Sequence, residues 1–367
     1  MLFKKMLLLL LCCFANISSL QAHGTASYWT IDEYFQLNPA QQKLSQQFNE
    51  IVQNEAVALK QKNQPIKIFI VYPSKQISDY WRRSILAFEA RLKELNINYQ
   101  IRSHHTSVAL SFTQQKRLLA RSKEYNPDYL IFTLSITEHQ GLIETIMQQQ
   151  NAPKLILQNI TTPLKVWADK QPFFYVGFDH IKGTQLLANY YLKLMDKKSH
   201  YAMIYWAPGY LSEVRGHSFI HLLESNSDFI LSSEHYTDAT RSSAYRATQK
   251  ALATDHELAF IYACSTDVAL GVSQAVRDAG LKDTIKVNGW GGGANELQAL
   301  KKGLLDVTVM RMNDDNGVAM AEVIKLDISG KEHQVPLIYS GEFAIIDNNT
   351  SEEALTRYKK RAFRYSH

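Results

Sequence analysis

Cysteine is nearly absent: there are three in 367 residues, and two of them, Cys12 and Cys13, lie side by side in the apolar N-terminal run. Once that run is removed Cys264 is the only thiol, so no intramolecular disulfide can staple the chain, and no Cys-x-x-Cys motif can be written. Charge of one sign is also lacking. Against 40 Lys and Arg stand 35 Asp and Glu, and Lys4 and Lys5 account for two of the five net positive charges. That balance is too mild for a nucleic-acid or membrane surface. After Phe14 no apolar run is long enough to span a bilayer. Catalytic signatures are missing too: there is no His-Glu-x-x-His and no Gly-x-Ser-x-Gly, and Gly216-His217-Ser218 runs on into Phe219 and fails the nucleophile-elbow pattern. The glycines of 288–296, NGWGGGANE, have neither dinucleotide spacing nor the lysine of a phosphate loop. His104 and His105 are adjacent in a strand and point to opposite faces, so they do not chelate one metal. These absences argue against an enzyme, a resident cofactor and a metal site.

What is present begins with a leader. Lys4 and Lys5 precede an apolar run from Met6 to Phe14, and a polar stretch ends at Ala22, the layout of a secretory signal peptide over residues 1–22. Leu11 stands where a lipoprotein site carries a small residue, which argues against a lipid anchor at Cys12. The expected location is the periplasm. Hydrophobic residues at 46% and charged residues at 20% describe a globular chain, and its length suits two domains.

Residues 23–65 read as an N-terminal helical extension. Asn38-Pro39 marks a helix start, Leu44, Phe48, Ile51 and Val52 form its apolar face, and residues 60–65 are a linker. From Ile66 strands and helices alternate. Strands are expected at 67–72, 97–102, 129–134, 155–160 and 173–178, then at 202–207, 229–236, 259–264, 285–290 and 307–312. The fold class is therefore α/β, two doubly wound parallel-sheet lobes joined by a hinge. The reading gives lobe 1 residues 66–179 plus about 313–332, and lobe 2 residues 180–312 plus about 333–367. The last stretch adds a strand-like IYSGEFAII and a helix starting near Ser351. The basic tail Arg357–Tyr365 is expected to be a solvated helix end.

The stretch AFIYACSTDVALG, residues 259–271, organises the functional reading. Phe260, Ile261 and Tyr262 form a buried strand, and Val268, Val272, Ala275 and Val276 share a helix face, so Ser265, Thr266 and Asp267 sit where strand meets helix. In open α/β sheets ligands bind in the crevice at that edge. Ser265 or Thr266 could equally be a helix cap, but the pattern recurs. Gln76, Ser78 and Trp81 follow the first strand, and Gln158, Asn159, Thr161 and Thr162 close another. In the second lobe the same edge carries Arg215, Trp290 and Arg311. Hydroxyls, amides and indoles suit a small polyhydroxylated ligand. Two arginines against one carboxylate, Asp267, suit an anionic one. Trp81 also fits a core position, and Arg215 a surface position of a helix over 213–225. Arg311, set between Met310 and Met312, needs a partner or a function.

The runs VYPSKQISDYW (71–81), YLIFTL (129–134), LILQNITTP (155–163), YVGFDH (175–180) and VMRMNDD (309–315), with 259–271 and 287–293, resemble the LuxP group of autoinducer-2 receptors within the type I periplasmic binding protein superfamily. The resemblance covers essentially the whole chain after the leader. It implies a receptor for autoinducer-2 as a furanosyl borate diester, with boron entering as part of the ligand and not as a cofactor. It also implies ligand contacts at Gln76, Ser78, Trp81, Asn159, Arg215, Ser265, Thr266, Asp267, Trp290 and Arg311, with Arg215 and Arg311 flanking the borate. The implied partner is the periplasmic domain of a LuxQ-like membrane sensor histidine kinase. The rival expectation is a sugar-binding protein serving an ABC importer.

Overall fold

A computed structural model describes residues 27–107, 112–134 and 138–367. The expected signal peptide, residues 1–22, lies outside the described residues. Thr30 opens the first helix, α1 (Ile31–Leu37), with a capping box: its hydroxyl accepts from the Glu33 N–H at 3.1 Å, and the Glu33 carboxylate accepts from the Thr30 N–H at 2.9 Å. This short helix was not anticipated. The expected one follows as α2 (Pro39–Gln53), with Pro39 in its first turn and Phe48 and Val52 buried.

Lobe 1 alternates β1 (Ile66–Lys75), α3 (Tyr80–Glu94), β2 (Tyr99–Ser107), α4 (Phe112–Tyr125), β3 (Tyr129–Thr133), α5 (Glu138–Met147), β4 (Lys154–Gln158) and β5 (Phe174–Phe178). Lobe 2 begins with α6 (His180–Leu194) and β6 (His200–Ile204). Next, α7 (Tyr210–Ser212) runs through a π-helical turn, Glu213–His217, into α8 (Ser218–Asn226). Then come β7 (Ile230–His235), α9 (Arg241–Thr254), β8 (Leu258–Ala263), α10 (Thr266–Asp278), β9 (Lys286–Gly291), α11 (Ala294–Lys301) and β10 (Val307–Arg311). The chain ends with α12 (Asp314–Ile328), β11 (Ile338–Gly341), β12 (Phe343–Asp347) and α13 (Glu352–Ala362).

Each lobe holds a six-stranded sheet, in the order β11-β5-β4-β3-β1-β2 and β12-β10-β9-β8-β6-β7. All neighbours run parallel except β12, which is antiparallel to β10. Helices cover both faces, so the central strands have no solvent side. β3 and β5 are buried at every position, which is why they read in the sequence as unbroken apolar runs. The edge strand β7 lacks that cover and is partly exposed.

Two expectations are corrected. IYSGEFAII is not one strand, and residues from 333 onward do not all belong to lobe 2: β11 pairs with β5 in lobe 1, and the chain crosses at Glu342 to pair β12 with β10. The run reads as continuous because both halves are apolar. The basic tail is solvated only in part: Arg357, Lys359 and Lys360 are exposed, but Arg361 and Arg364 are engaged. Arg361 bridges Asp315 at 3.1 Å and Glu342 at 2.7 Å, and Arg364 pairs with Asp315 at 3.1 Å. Phe363 lies under the Arg83 guanidinium, and the Tyr365 hydroxyl meets Arg91 at 3.1 Å. Buried Arg91 in turn reaches Glu322 at 2.8 Å and the Asn54 carbonyl at 2.9 Å. The C-terminal tail and the end of α2 are thereby tied to α3 and α12, on the lobe 1 side of the hinge.

Candidate functional site

The carboxyl ends of the two sheets face each other across a cavity. All ten residues expected at the ligand line it: Gln76, Ser78, Trp81 and Asn159 from lobe 1, and Arg215, Ser265, Thr266, Asp267, Trp290 and Arg311 from lobe 2. Pro73, Tyr80, Trp206 and Leu211 complete the wall and were not anticipated. Tyr80 escaped notice because it precedes Trp81 on a helix whose apolar spacing had already explained it. Gln158, Thr161 and Thr162 are buried but do not line this cavity. Gln158 donates to the Ser84 hydroxyl at 2.7 Å, and the Thr162 hydroxyl lies 2.5 Å from that of Tyr210.

Arg215 is not on a helix surface. It lies in the π-helical turn, where Val214, Arg215 and Gly216 are buried in succession. A π turn inserts one extra residue and re-aims those around it. Gly216 permits this turn, because a Cβ there would lie 2.1 Å from the Tyr205 ring. The guanidinium stacks 3.6 Å above the Trp290 ring, donates from Nη1 to the Cys264 carbonyl at 2.8 Å and places Nη2 3.3 Å from His180 Nδ1. Arg311 ends β10 with its guanidinium 4.2 Å above the Tyr80 ring and 5.8 Å from that of Trp290. Neither arginine has a carboxylate in ion-pair contact among the described residues. Burial, reinforced by the facing Arg311 charge, pushes Arg215 down to about 9, so it stays cationic at neutral pH. Burial also lowers Arg311, partly offset by Tyr80, Glu296 and Asp79.

Asp267 has a different task from a free counterion. Its two oxygens accept from the Ile77 N–H at 2.9 Å and the Ser78 N–H at 3.1 Å, binding lobe 2 to the loop after β1. Burial raises its pKa while those two amides pull it back. Asp79 makes the reciprocal contact. It forms no cap bond within its own helix; instead its carboxylate accepts from the Ala294 N–H at the start of α11, 3.2 Å away, and from Arg83 Nε at 2.6 Å. Ser265 caps α10, accepting from the Val268 N–H at 3.4 Å, while also lining the cavity. Cys264 is fully buried, and burial pushes its thiol up to about 12, which removes it as a nucleophile.

Three buried polar atoms of the cavity residues have no protein partner among the described residues: Asn159 Oδ1, Arg215 Nε and Arg311 Nε. Proteins rarely leave such atoms unsatisfied, because each costs about 1–3 kcal/mol. Two acceptor-seeking guanidiniums beside a carboxylate already engaged by amides leave the cavity positive. It can hold a small, oxygen-rich anion between aromatic faces. Among the described residues no group of three or more His, Cys, Asp or Glu side chains could hold a metal ion.

A family model described as a periplasmic binding protein domain matches residues 68–332. Among solved structures, an ABC transporter periplasmic solute-binding protein from Actinobacillus succinogenes 130z with bound D-allose is 20% identical, covers 80% of this chain and 100% of its own, and superposes with a TM-score of 0.68. A solute-binding protein from Bacillus halodurans C-125 with bound myo-inositol is 16% identical over 83% of this chain and 100% of its own, with a TM-score of 0.68. A complex of XylFII with LytSN is 17% identical over 79% and 100%, with a TM-score of 0.66. At these identities the likeness is one of fold.

Proposed function

Because the chain belongs to the periplasmic binding protein family, we propose that it is a periplasmic receptor for autoinducer-2 in its furanosyl borate diester form. The observation that carries this reading is the pair of buried guanidiniums, Arg215 and Arg311, flanking one indole with no carboxylate of the described residues against them. A tetrahedral borate on a hydroxylated ring supplies the missing negative charge, and its oxygens supply acceptors for the orphaned N–H groups. The ring hydroxyls then meet Gln76, Ser78, Asn159, Ser265 and Thr266, with Trp81 and Trp290 against its carbon face. A ligand touching both lobes favours closure by its differential affinity for the closed state and by nothing else. Closure would reshape the surface offered to a LuxQ-like membrane sensor histidine kinase. The XylFII–LytSN complex supports this reading by placing a fold neighbour in a protein complex.

The second reading is a binding protein that passes a neutral sugar to an ABC importer. The D-allose and myo-inositol complexes of its fold neighbours favour it, and the two uncompensated arginines oppose it. Calorimetric titration separates the two. The signal precursor should bind tightly with borate present and far more weakly in boron-free buffer. Equal affinity in both buffers, or tight binding of D-allose or myo-inositol, would favour the importer reading.

A further inference from the structure

We propose that His180, which does not line the cavity, is the positioning residue that sets Arg215, and that it does so as a neutral imidazole protonated on Nε2. This rests on the reading above only in taking Arg215 to contact the ligand. His180 is the first residue of α6 and stands at the first crossing between the lobes. It is buried, with its ring 5.4 Å from that of Trp290 and 6.0 Å from that of Tyr210.

The partners dictate the tautomer. Arg215 Nη2, 3.3 Å from Nδ1, can only donate, so Nδ1 must carry the lone pair. The Asn159 carbonyl, 3.1 Å from Nε2, can only accept, so Nε2 must carry the proton. One imidazole thus joins two cavity residues from opposite lobes: its accepting edge orients the guanidinium and its donating edge is anchored on the lobe 1 backbone. Asn159 is itself held in the left-handed region, at φ 68°, so the anchoring carbonyl has a fixed direction. The Cys264 carbonyl fixes Nη1 of Arg215 and His180 holds Nη2, which leaves Nε without a protein partner. A doubly protonated ring would turn an N–H toward a guanidinium that has no lone pair to accept it. Burial opposes protonation of the ring most, followed by the facing Arg215 and Arg311 charges, against the pull of the Asn159 carbonyl. Sequence reasoning passed over His180 because it closes the run YVGFDH as an ordinary helix-start residue.

Two measurements decide the matter. The first needs no ligand: ring ¹⁵N shifts of the histidine-labelled protein should show His180 as the Nε2–H tautomer, remaining neutral where an ordinary imidazole is already charged. An Nδ1–H tautomer, or titration in the ordinary histidine range, overturns the proposal. The second is a double-mutant cycle on the affinity for borated autoinducer-2, with folding checked by circular dichroism. His180→Leu should weaken binding about 30-fold, and His180→Asn, whose amide oxygen can accept where Nδ1 did, should recover most of that loss. Combined with Arg215→Met, His180→Leu should cost nothing further, since both act through one guanidinium. Additive losses would mean that His180 does not act through Arg215. If the wild type binds no borated ligand, the reading of the function fails by itself. The cycle then runs on whichever of D-allose and myo-inositol it binds, and the tautomer measurement stands regardless.

Discussion

Asp267 in lobe 2 accepts from the Ser78 N–H in lobe 1 at 3.1 Å, and from its neighbour Ile77 at 2.9 Å. A carboxylate shared with two amides across the cleft is a latch as well as a cavity wall, and it makes closure sensitive to one side chain. Asp267→Ala strands both amides at a partly buried interface, where each lost charge-assisted bond is worth about 1.5–3 kcal/mol. The radius of gyration of the free protein by small-angle scattering should rise, and the affinity for the borated signal should fall by about tenfold or more. An unchanged radius would mean that the two amides contribute nothing to closure.

Gly216 gives a second prediction, about packing. An alanine there would drive its Cβ to 2.1 Å from a Tyr205 ring that has no room to retreat. That ring stacks on Tyr236 at 4.3 Å, and its hydroxyl donates to Glu234 at 2.5 Å. Overpacking of this kind costs about 1–3 kcal/mol, and the neighbouring Arg215 must shift with the backbone. Gly216→Ala should therefore lower both the melting temperature and the affinity. Gly141 in α5 is the control: nothing lies within 4 Å of a Cβ there. Gly141→Ala should be neutral or stabilising, by up to about 1 kcal/mol.

The alternation of strands and helices was legible because strands buried on both faces have no polar positions to interrupt them, as in β3 and β5. Several of the cavity residues were legible for a related reason: Gln76, Ser78, Asn159, Ser265, Thr266 and Asp267 follow apolar strands, at the edge where open sheets bind ligands. Other features depend on contacts between distant parts of the chain that no local pattern records. The acceptance by Asp79 from Ala294 spans 215 positions, and the bond of Arg364 to the Val52 carbonyl spans 312. An acidic residue before a helix looks like a cap for that helix, and Arg361 and Arg364 at the end of a basic run look solvated. Both are ordinary meanings that tertiary structure overrode here. The π turn under Arg215 leaves no signature beyond a glycine, which has many other uses.

Asp314 supplies a pH dependence that can be assigned a sign. It is buried beneath the tail, accepting from the Tyr365 N–H at 2.7 Å and the Ser366 N–H at 3.0 Å. Burial raises its carboxyl to about 6 from 3.8, against the bonds from the tail. The folded state therefore holds this proton more tightly than the unfolded chain. Its contribution is fully present below about pH 3.8 and is lost as pH rises through about 6. At 1.36 kcal/mol per unit the effect is of the order of 3 kcal/mol. Melting temperatures of the wild type and Asp314→Asn, compared from pH 4 to pH 8, should differ increasingly in favour of the wild type as pH falls. A difference that does not vary with pH would show that Asp314 titrates alike in both states.

Arg311 joins stability and function in one test. Its charge is buried against Tyr80 and Trp290 with no carboxylate of the described residues in contact, an arrangement that costs the free protein stability and is repaid when an anion arrives. Arg311→Met keeps much of the length and apolar contact while removing the charge. The free protein should then melt at a higher temperature than the wild type, and the affinity for the borated signal should fall by about 100-fold, the scale of one lost charge-assisted bond. Arg311→Lys retains the charge but loses the planar fork that grips two oxygens at once, so it should bind with intermediate strength and gain no stability. A less stable Arg311→Met protein with full affinity would mean that this arginine serves packing, and the anionic ligand would have to be abandoned with it. A more stable variant that no longer binds is the outcome expected of a site whose strain is relieved by its ligand.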